Sequence, residues 1–278
     1  MTNSTQELAL IANQLRQDLI TMLATAGSGH TASPLALADL MAVLYFSQLQ
    51  QRPRQPSWPG RDRLIFSAGH IVPIRYVAMA RAGYFPLKQL ATLRKFGSRL
   101  QGHPSLIDFP AMETSGGPLA QGISVAVGMA LAAKMDKAAH RVYVVCSDAE
   151  MEEGQLWEAV MTAAKYKLHN LTVFLDRNNI QIDGTTDDVM PLNPIREKWR
   201  SFGWQVVSIN GHDHQAIIDA IDLARSFSEQ PTVIILNTIP GRGVSFMEDD
   251  YRWHGKVPTP IEAKRALAEL RAARKDSI

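Results

Sequence analysis

Residues 141–180 read RVYVVCSDAEMEEGQLWEAVMTAAKYKLHNLTVFLDRNNI. Two short, mainly apolar strands, 141–146 and 171–176, bracket a segment of helical periodicity at 153–168. Each run ends in polar residues: Ser147-Asp148-Ala149 after the first, Arg177-Asn178-Asn179-Ile180 after the second. Val142-Tyr143-Val144-Val145 leaves no polar face, which fits a central strand of a sheet covered by helices on both sides. The pattern continues with helix 194–202, strand 204–209, helix 214–227 and strand 231–239, where Thr232-Val233-Ile234-Ile235-Leu236 is again apolar throughout. Strands alternating with helices predict an α/β fold with a parallel sheet, whose ligands bind beyond the carboxyl ends of the strands.

Upstream, Ser4 and Glu7 form a capping box that opens an amphipathic helix to Ala26. The chain then passes through Gly27-Ser28-Gly29-His30. Ser33-Pro34 starts a second helix, expected to run to Gln48 with Ser33 as its cap. A strand is expected at Arg63 to Ser67, followed by helical segments at 72–82 and 86–95. The twenty residues from Thr114 to Ala133 carry no charge and run into the helix Gly122 to Lys134. A helix without a polar face must be covered all round, either by the core or by a second chain, and a partner chain is the expectation. The last helix is placed at Pro260 to Lys275.

The 278 residues carry 29 basic and 27 acidic side chains and are 46% hydrophobic, so they contain enough apolar surface to fold. One domain over 1–278 is the simplest organisation. The single cysteine, Cys146, excludes a disulfide scaffold and is expected to be a packing residue. No apolar run reaches the roughly 18 residues of a membrane span. The first residues lack a basic and apolar leader pattern, so a cytoplasmic protein is expected. The basic residues between Lys264 and Lys275 are spaced as a solvated helix face, without the dense basic stripe and aromatics of a nucleic-acid surface, and Arg94 and Arg99 are also read as solvated.

If strands 141–146 and 171–176 are parallel neighbours, Asp148 and Asn178 share one crevice although thirty residues separate them. A carboxylate, an amide carbonyl and a nearby backbone C=O suit Mg²⁺ at about 2.1 Å, with phosphate oxygens and water completing the shell. A phosphate ester would then also gain from the amides opening helix 153–168. The same residues could equally serve as a helix cap and an ordinary turn.

Several segments, taken together, resemble the transketolases. The stretch Ser147 to Gly154, with Asp176-Arg177-Asn178-Asn179-Ile180, is similar to their thiamine diphosphate motif. Ser28-Gly29-His30, Ser67-Ala68-Gly69-His70, Gly102-His103-Pro104, Gly117-Pro118-Leu119 and Trp253-His254-Gly255 follow in the family's order. The resemblance implies the fold of the diphosphate-binding domain and the cofactors thiamine diphosphate and Mg²⁺, with Ca²⁺ or Mn²⁺ as alternative ions. It implies that Asp148, Asn178 and the Ile180 carbonyl hold the metal, while Gly117, Pro118, Leu119, Ser147 and Ala149 lie against the cofactor.

His70 would bind the diphosphate and His103 the donor hydroxyls. His30 and His254 would serve substrate and proton transfer, with His254 also touching the cofactor. Glu153 would link two sites across a dimer.

A full-length transketolase continues into a domain that holds the aminopyrimidine. The chain therefore resembles the N-terminal subunit of a split enzyme, expected to form an α2β2 assembly with a C-terminal subunit and to move a two-carbon ketol unit between sugars or sugar phosphates. Two other implications stay open: a subunit of a two-chain 2-oxoacid decarboxylase or dehydrogenase, and a non-catalytic paralogue that binds a partner. Ser147 and Ala149 replace the glycines of the family's Gly-Asp-Gly, so a strained Ala149 at positive φ and weaker cofactor binding are expected. Thr31-Ala32 replaces Pro-Gly after Gly29-His30, which alters the substrate mouth.

Overall fold

The computed structural model describes residues 3–275. Its centre is a five-stranded, fully parallel sheet of β1 (Arg63–Phe66), β2 (Val142–Ser147), β3 (Leu171–Arg177), β4 (Gln205–Asn210) and β5 (Thr232–Asn237), in the order β1-β2-β3-β5-β4. The apolar runs are buried on both faces, and the strand period of two divides them between two cores. Val142, Val144, Cys146, Val173 and Leu175 face one layer with Val233 and Ile235. Tyr143, Val145, Phe174, Ile234 and Leu236 face the other. Cys146 is a free, buried packing residue, as expected.

The first layer contains α5 (Gln121–Met135), α6 (Gly154–Lys165) and α8 (Ile195–Ser201), closed by Trp199 and Trp204. The opposite layer contains α1 (Thr5–Ala26), α3 (Ala38–Val43), α4 (Val72–Ala82) and α9 (His214–Ser226), with α10 (Pro260–Lys275) packed on α1. The capping box at Ser4 and Glu7 is formed as expected, and α1 stops at Gly27 in the left-handed region, φ 69°. Buried Asp39 on α3 ties this layer to the sheet. It accepts from Arg16 of α1 and from His212 Nδ1, while His212 Nε2 accepts the Ile239 N–H at 2.8 Å, which fixes the ring's tautomer.

Two helical expectations are corrected. The segment expected as one helix from Ser33 to Gln48 is α2 (Ala32–Ala36), a break at Leu37, α3, and a π-helical turn at Leu44–Gln48. Thr31 precedes α2 without a side-chain cap, because its hydroxyl donates to the Lys256 carbonyl at 2.6 Å. Ser33 lies inside α2, its hydroxyl turned to Asn178. The helix expected at 86–95 is a 3₁₀ run, Leu87–Thr92, ended by Arg94 at φ 58° and Gly97 at φ 72°.

The helix α5, uncharged up to Lys134, is only half covered. Gly122, Ile123, Ala126, Val127, Ala130 and Ala133 are buried against the sheet and α6, whereas Val125 and Met135 are exposed. No helix among the described residues is long and apolar enough to cross a membrane.

Candidate active site

β2 and β3 pair in register, with Ser147 opposite Asp176, and the Asp148 N–H donates to the Asp176 carbonyl at 3.1 Å. This pairing brings the two strand-end motifs together. Asp148 is fully buried, and its carboxylate accepts from the Ala149 N–H (2.9 Å), Arg177 Nη1 (2.9 Å) and the Asn179 N–H (3.0 Å). Burial raises its pKa, opposed by the Arg177 guanidinium beside it. Asn178 Nδ2 donates to Ser33 Oγ (3.0 Å) and Asp176 Oδ2 (2.8 Å), and its carbonyl oxygen accepts from the Ile180 N–H (3.0 Å). The amide is therefore held by its nitrogen, with Asn179 at φ 63° carrying the chain around the turn.

Above this floor a cavity of about 380 Å³ is lined by His30, His70, His103 and His254, with Gly117, Leu119, Ser147, Ala149, Asn178 and Ile180. Four loops supply the four rings. His30 follows Gly29, which has φ 143° and sits so close to Leu23 that a Cβ would lie 2.7 Å from Cδ2. His70 lies in the 3₁₀ turn Gly69–Ile71 after β1, where a Cβ on Gly69 would come within 3.1 Å of the Gly117 amide nitrogen. His254 follows the turn Tyr251–Trp253, and His103 follows Gly102. The ring centroids of His30 and His70 are 4.5 Å apart, those of His30 and His254 5.5 Å, and those of His70 and His254 5.4 Å.

Three ring nitrogens, His30 Nδ1, His70 Nε2 and His254 Nδ1, are buried without a hydrogen-bond partner. Burial followed by the neighbouring histidines and Arg94 lowers the pKa of His30 to about 4. Burial, then His30 and His254, lowers that of His70 to about 3. His103 and His254 are also lowered, by burial first. All four rings are therefore neutral near pH 7, able to accept or donate a proton.

Most of the expected residues converge on this cavity. Asp148 lies beneath its floor, Pro118 is not part of the lining, and Glu153 is exposed at the N-cap of α6 without a side-chain cap. The cleft is approached by the 3₁₀ turn Ala149–Glu152 rather than by the first turn of α6, so the expectation that α6 amides meet a phosphate is not matched by the lining. Ala149 lies in that turn and is not among the residues at positive φ, which corrects the expected strain. The left-handed alanine is Ala120, at φ 60°, in the turn after Gly117-Pro118-Leu119.

Three further groups belong to the site and were not anticipated. Glu150 is fully buried and joins three segments, accepting from Ser67 Oγ (2.5 Å), the Ala120 N–H (2.6 Å) and the Ser147 N–H (2.8 Å). Burial raises its pKa against these three bonds. Arg177 spans from Asp148 to Thr186 Oγ1 (2.7 Å), at the start of α7 (Thr186–Val189). Asp176 is buried beside Thr238 and Asn178, with its pKa raised to about 7 by burial and by the nearby Asp148. Their charges gave a sequence signal only as ordinary strand-end polar residues.

The transketolase thiamine diphosphate binding domain matches residues 8–271. A 6-deoxy-6-sulfo-D-fructose transketolase subunit of Clostridium sp. (strain MSTE9) is 41% identical over 93% of this chain and 94% of its own length. One of the subunits of an apulose-4-phosphate transketolase from Phocaeicola vulgatus is 38% identical over 95% of this chain and 94% of its own length. Among solved structures, transketolase from Campylobacter jejuni superposes with a TM-score of 0.90 at 30% identity, covering 99% of this chain and 46% of the longer one. The chain thus spans the length of the transketolase subunits it matches and a little under half of the solved transketolases, and it belongs to the transketolase family through the thiamine diphosphate binding domain.

Proposed function

We propose that the chain is the diphosphate-side subunit of a two-chain transketolase, a single domain over residues 1–278 working in the cytoplasm in an α2β2 assembly with a C-terminal subunit. The observation that carries this reading is the convergence of four neutral histidines on a cavity lined by Asn178, with the buried Asp148 carboxylate beneath it, in a chain as long as subunits that bear the transketolase name.

The donor set fits a hard divalent cation, since the Asp148 carboxylate, the Asn178 amide oxygen and the Ile180 carbonyl are all oxygens. A cation there would also offset the repulsion between Asp148 and the buried Asp176. Mg²⁺ is the expected ion, with Ca²⁺ or Mn²⁺ as substitutes. The orphaned nitrogen of His70 fits a diphosphate oxygen or its bridging water, and those of His30 and His254 fit polar groups entering the same cavity. When bound, thiamine diphosphate supplies the nucleophilic carbon and carries the two-carbon unit between sugars.

This chain's part is to bind, orient and move protons. Gly117, Leu119, Ser147 and Ala149 form the cradle wall, which Glu150 holds from behind. His103 orients the donor hydroxyls. His30 and His254 exchange protons with substrate oxygens as charge develops there, a task suited to neutral imidazoles. Glu153, exposed at the surface, acts across the dimer contact. Sugars or sugar phosphates are the substrate class.

Co-expression with candidate C-terminal subunits, followed by a ketol-transfer assay with thiamine diphosphate and Mg²⁺, tests the reading. Transfer should require both chains and fall sharply in Glu153→Gln without a change in thermal stability. Turnover by this chain alone, or no transfer with any cognate partner and ketose donor, would overturn it.

A further inference from the structure

We propose that the His30, His70 and His254 cluster is a binding site for one zinc-class transition-metal ion in the cofactor-free chain. This is a second metal chemistry, separate from the oxygen site at Asp148.

One ring nitrogen from each of the three residues lies within 4.8 Å of the other two. Tetrahedral zinc with Zn–N bonds of about 2.0–2.1 Å wants such atoms about 3.4 Å apart. The three rings therefore need to close by no more than about 1.4 Å, and they stand on short loops and turns rather than on one rigid helix. Three histidines with a vacant fourth position is the ligand pattern of open zinc sites, and the vacant side here is the cavity. A buried nitrogen on each ring lacks a partner, and an ion bound through those nitrogens would satisfy polar atoms that otherwise bear the full cost of desolvation.

Imidazole nitrogen selects Zn²⁺, Co²⁺, Ni²⁺ or Cu²⁺ over Mg²⁺, which prefers the oxygen donors below. The affinity should be micromolar, well short of that of a structural zinc site. Ligand histidines are normally braced by an acceptor on their second nitrogen, and Arg94 sets a positive charge close to His30.

The binding rests on the three rings alone. Its consequence rests on the proposed function: an ion on these nitrogens would occupy the groups assigned to diphosphate and substrate, so metal and cofactor would exclude each other.

The test uses the full chain after chelator treatment, with Zn²⁺ followed by calorimetry and Co²⁺ by visible absorption. One equivalent should bind at micromolar concentration, and Co²⁺ should give the strong absorption of a four-coordinate site. His30→Asn, His70→Asn and His254→Asn should each weaken binding by at least about tenfold, while substitution of His140, which precedes β2 and belongs neither to the cluster nor to the cavity lining, by Asn (His140→Asn) should leave it unchanged. Circular dichroism identifies any variant that does not fold, and His30→Gln then replaces it as the ligand-deleting variant. Absence of binding, weak six-coordinate absorption, or unchanged affinity in the folded ligand variants would overturn the site. Thiamine diphosphate with Mg²⁺, added with the partner subunit, should abolish the Co²⁺ band. A band that survives saturating cofactor would retain the metal site and remove these histidines from the cofactor reading.

Discussion

The neutral histidines tie the stability of the fold to pH, and His70 provides the cleanest measure. Its folded pKa is about 3 against an ordinary value of 6.5. Between those values the unfolded chain binds the proton and the folded chain does not, so stability is fully present above 6.5 and falls as the pH is lowered. At pH 5 the unfolded ring is almost wholly protonated. Linkage gives 1.36 × log[(1 + 10^1.5)/(1 + 10^−2)], about 2 kcal/mol lost relative to pH 8. The result hardly depends on the exact folded value, provided that it lies well below 5.

Asp176 acts in the opposite sense, because a carboxyl held near 7 against an ordinary 3.8 destabilises the fold at high pH and recovers as the pH falls. Comparing parent with variant cancels that contribution. Urea denaturation of the parent and of His70→Asn at pH 8 and pH 5 is the assay. The loss of stability between the two pH values should be smaller in the variant by about 2 kcal/mol. Equal losses in the two proteins would show that His70 is not held neutral in the folded state, and the electrostatic description of the cavity would fail with it.

Two substitutions test the backbone of the site. Ala149→Gly should not tighten cofactor binding in titrations with the partner present, because there is no left-handed strain to relieve; it should lower stability by about 0.5–1 kcal/mol, measured by thermal denaturation. Gly122→Ala should cost about 1–3 kcal/mol in urea denaturation, because its Cβ would lie 2.5 Å from Ser67 Cα and force α5 away from the end of β1.

The sheet was legible because its strands are apolar on both faces, and runs such as Val142 to Val145 fit little else. The pairing that joins Asp148 to Asn178 followed from one helix linking two such strands. The interruptions were not legible. The break at Leu37 and the 3₁₀ run at Leu87–Thr92 sit in sequences with good helical periodicity, and the missing cap before α2 is tertiary in origin, with Thr31 bonding Lys256 from 225 residues away. Strain was misplaced for a similar reason. The motif's missing glycine drew attention to Ala149, whereas the turn that needs a left-handed residue is at Ala120, held by a bond to Glu150 that no local pattern announces. The histidines were found by their order along the chain, and only their assembly reveals that they are neutral and unpartnered.

Glu150 gives the cradle a property that its lining residues alone would not. One buried carboxyl group fastens the end of β1, the turn at Ala120 and the end of β2 through three short hydrogen bonds that it accepts. The walls are thus fixed within the chain itself before anything enters. A ligand arriving there meets a surface whose conformational entropy was already lost on folding, so more of its contact energy is retained as affinity.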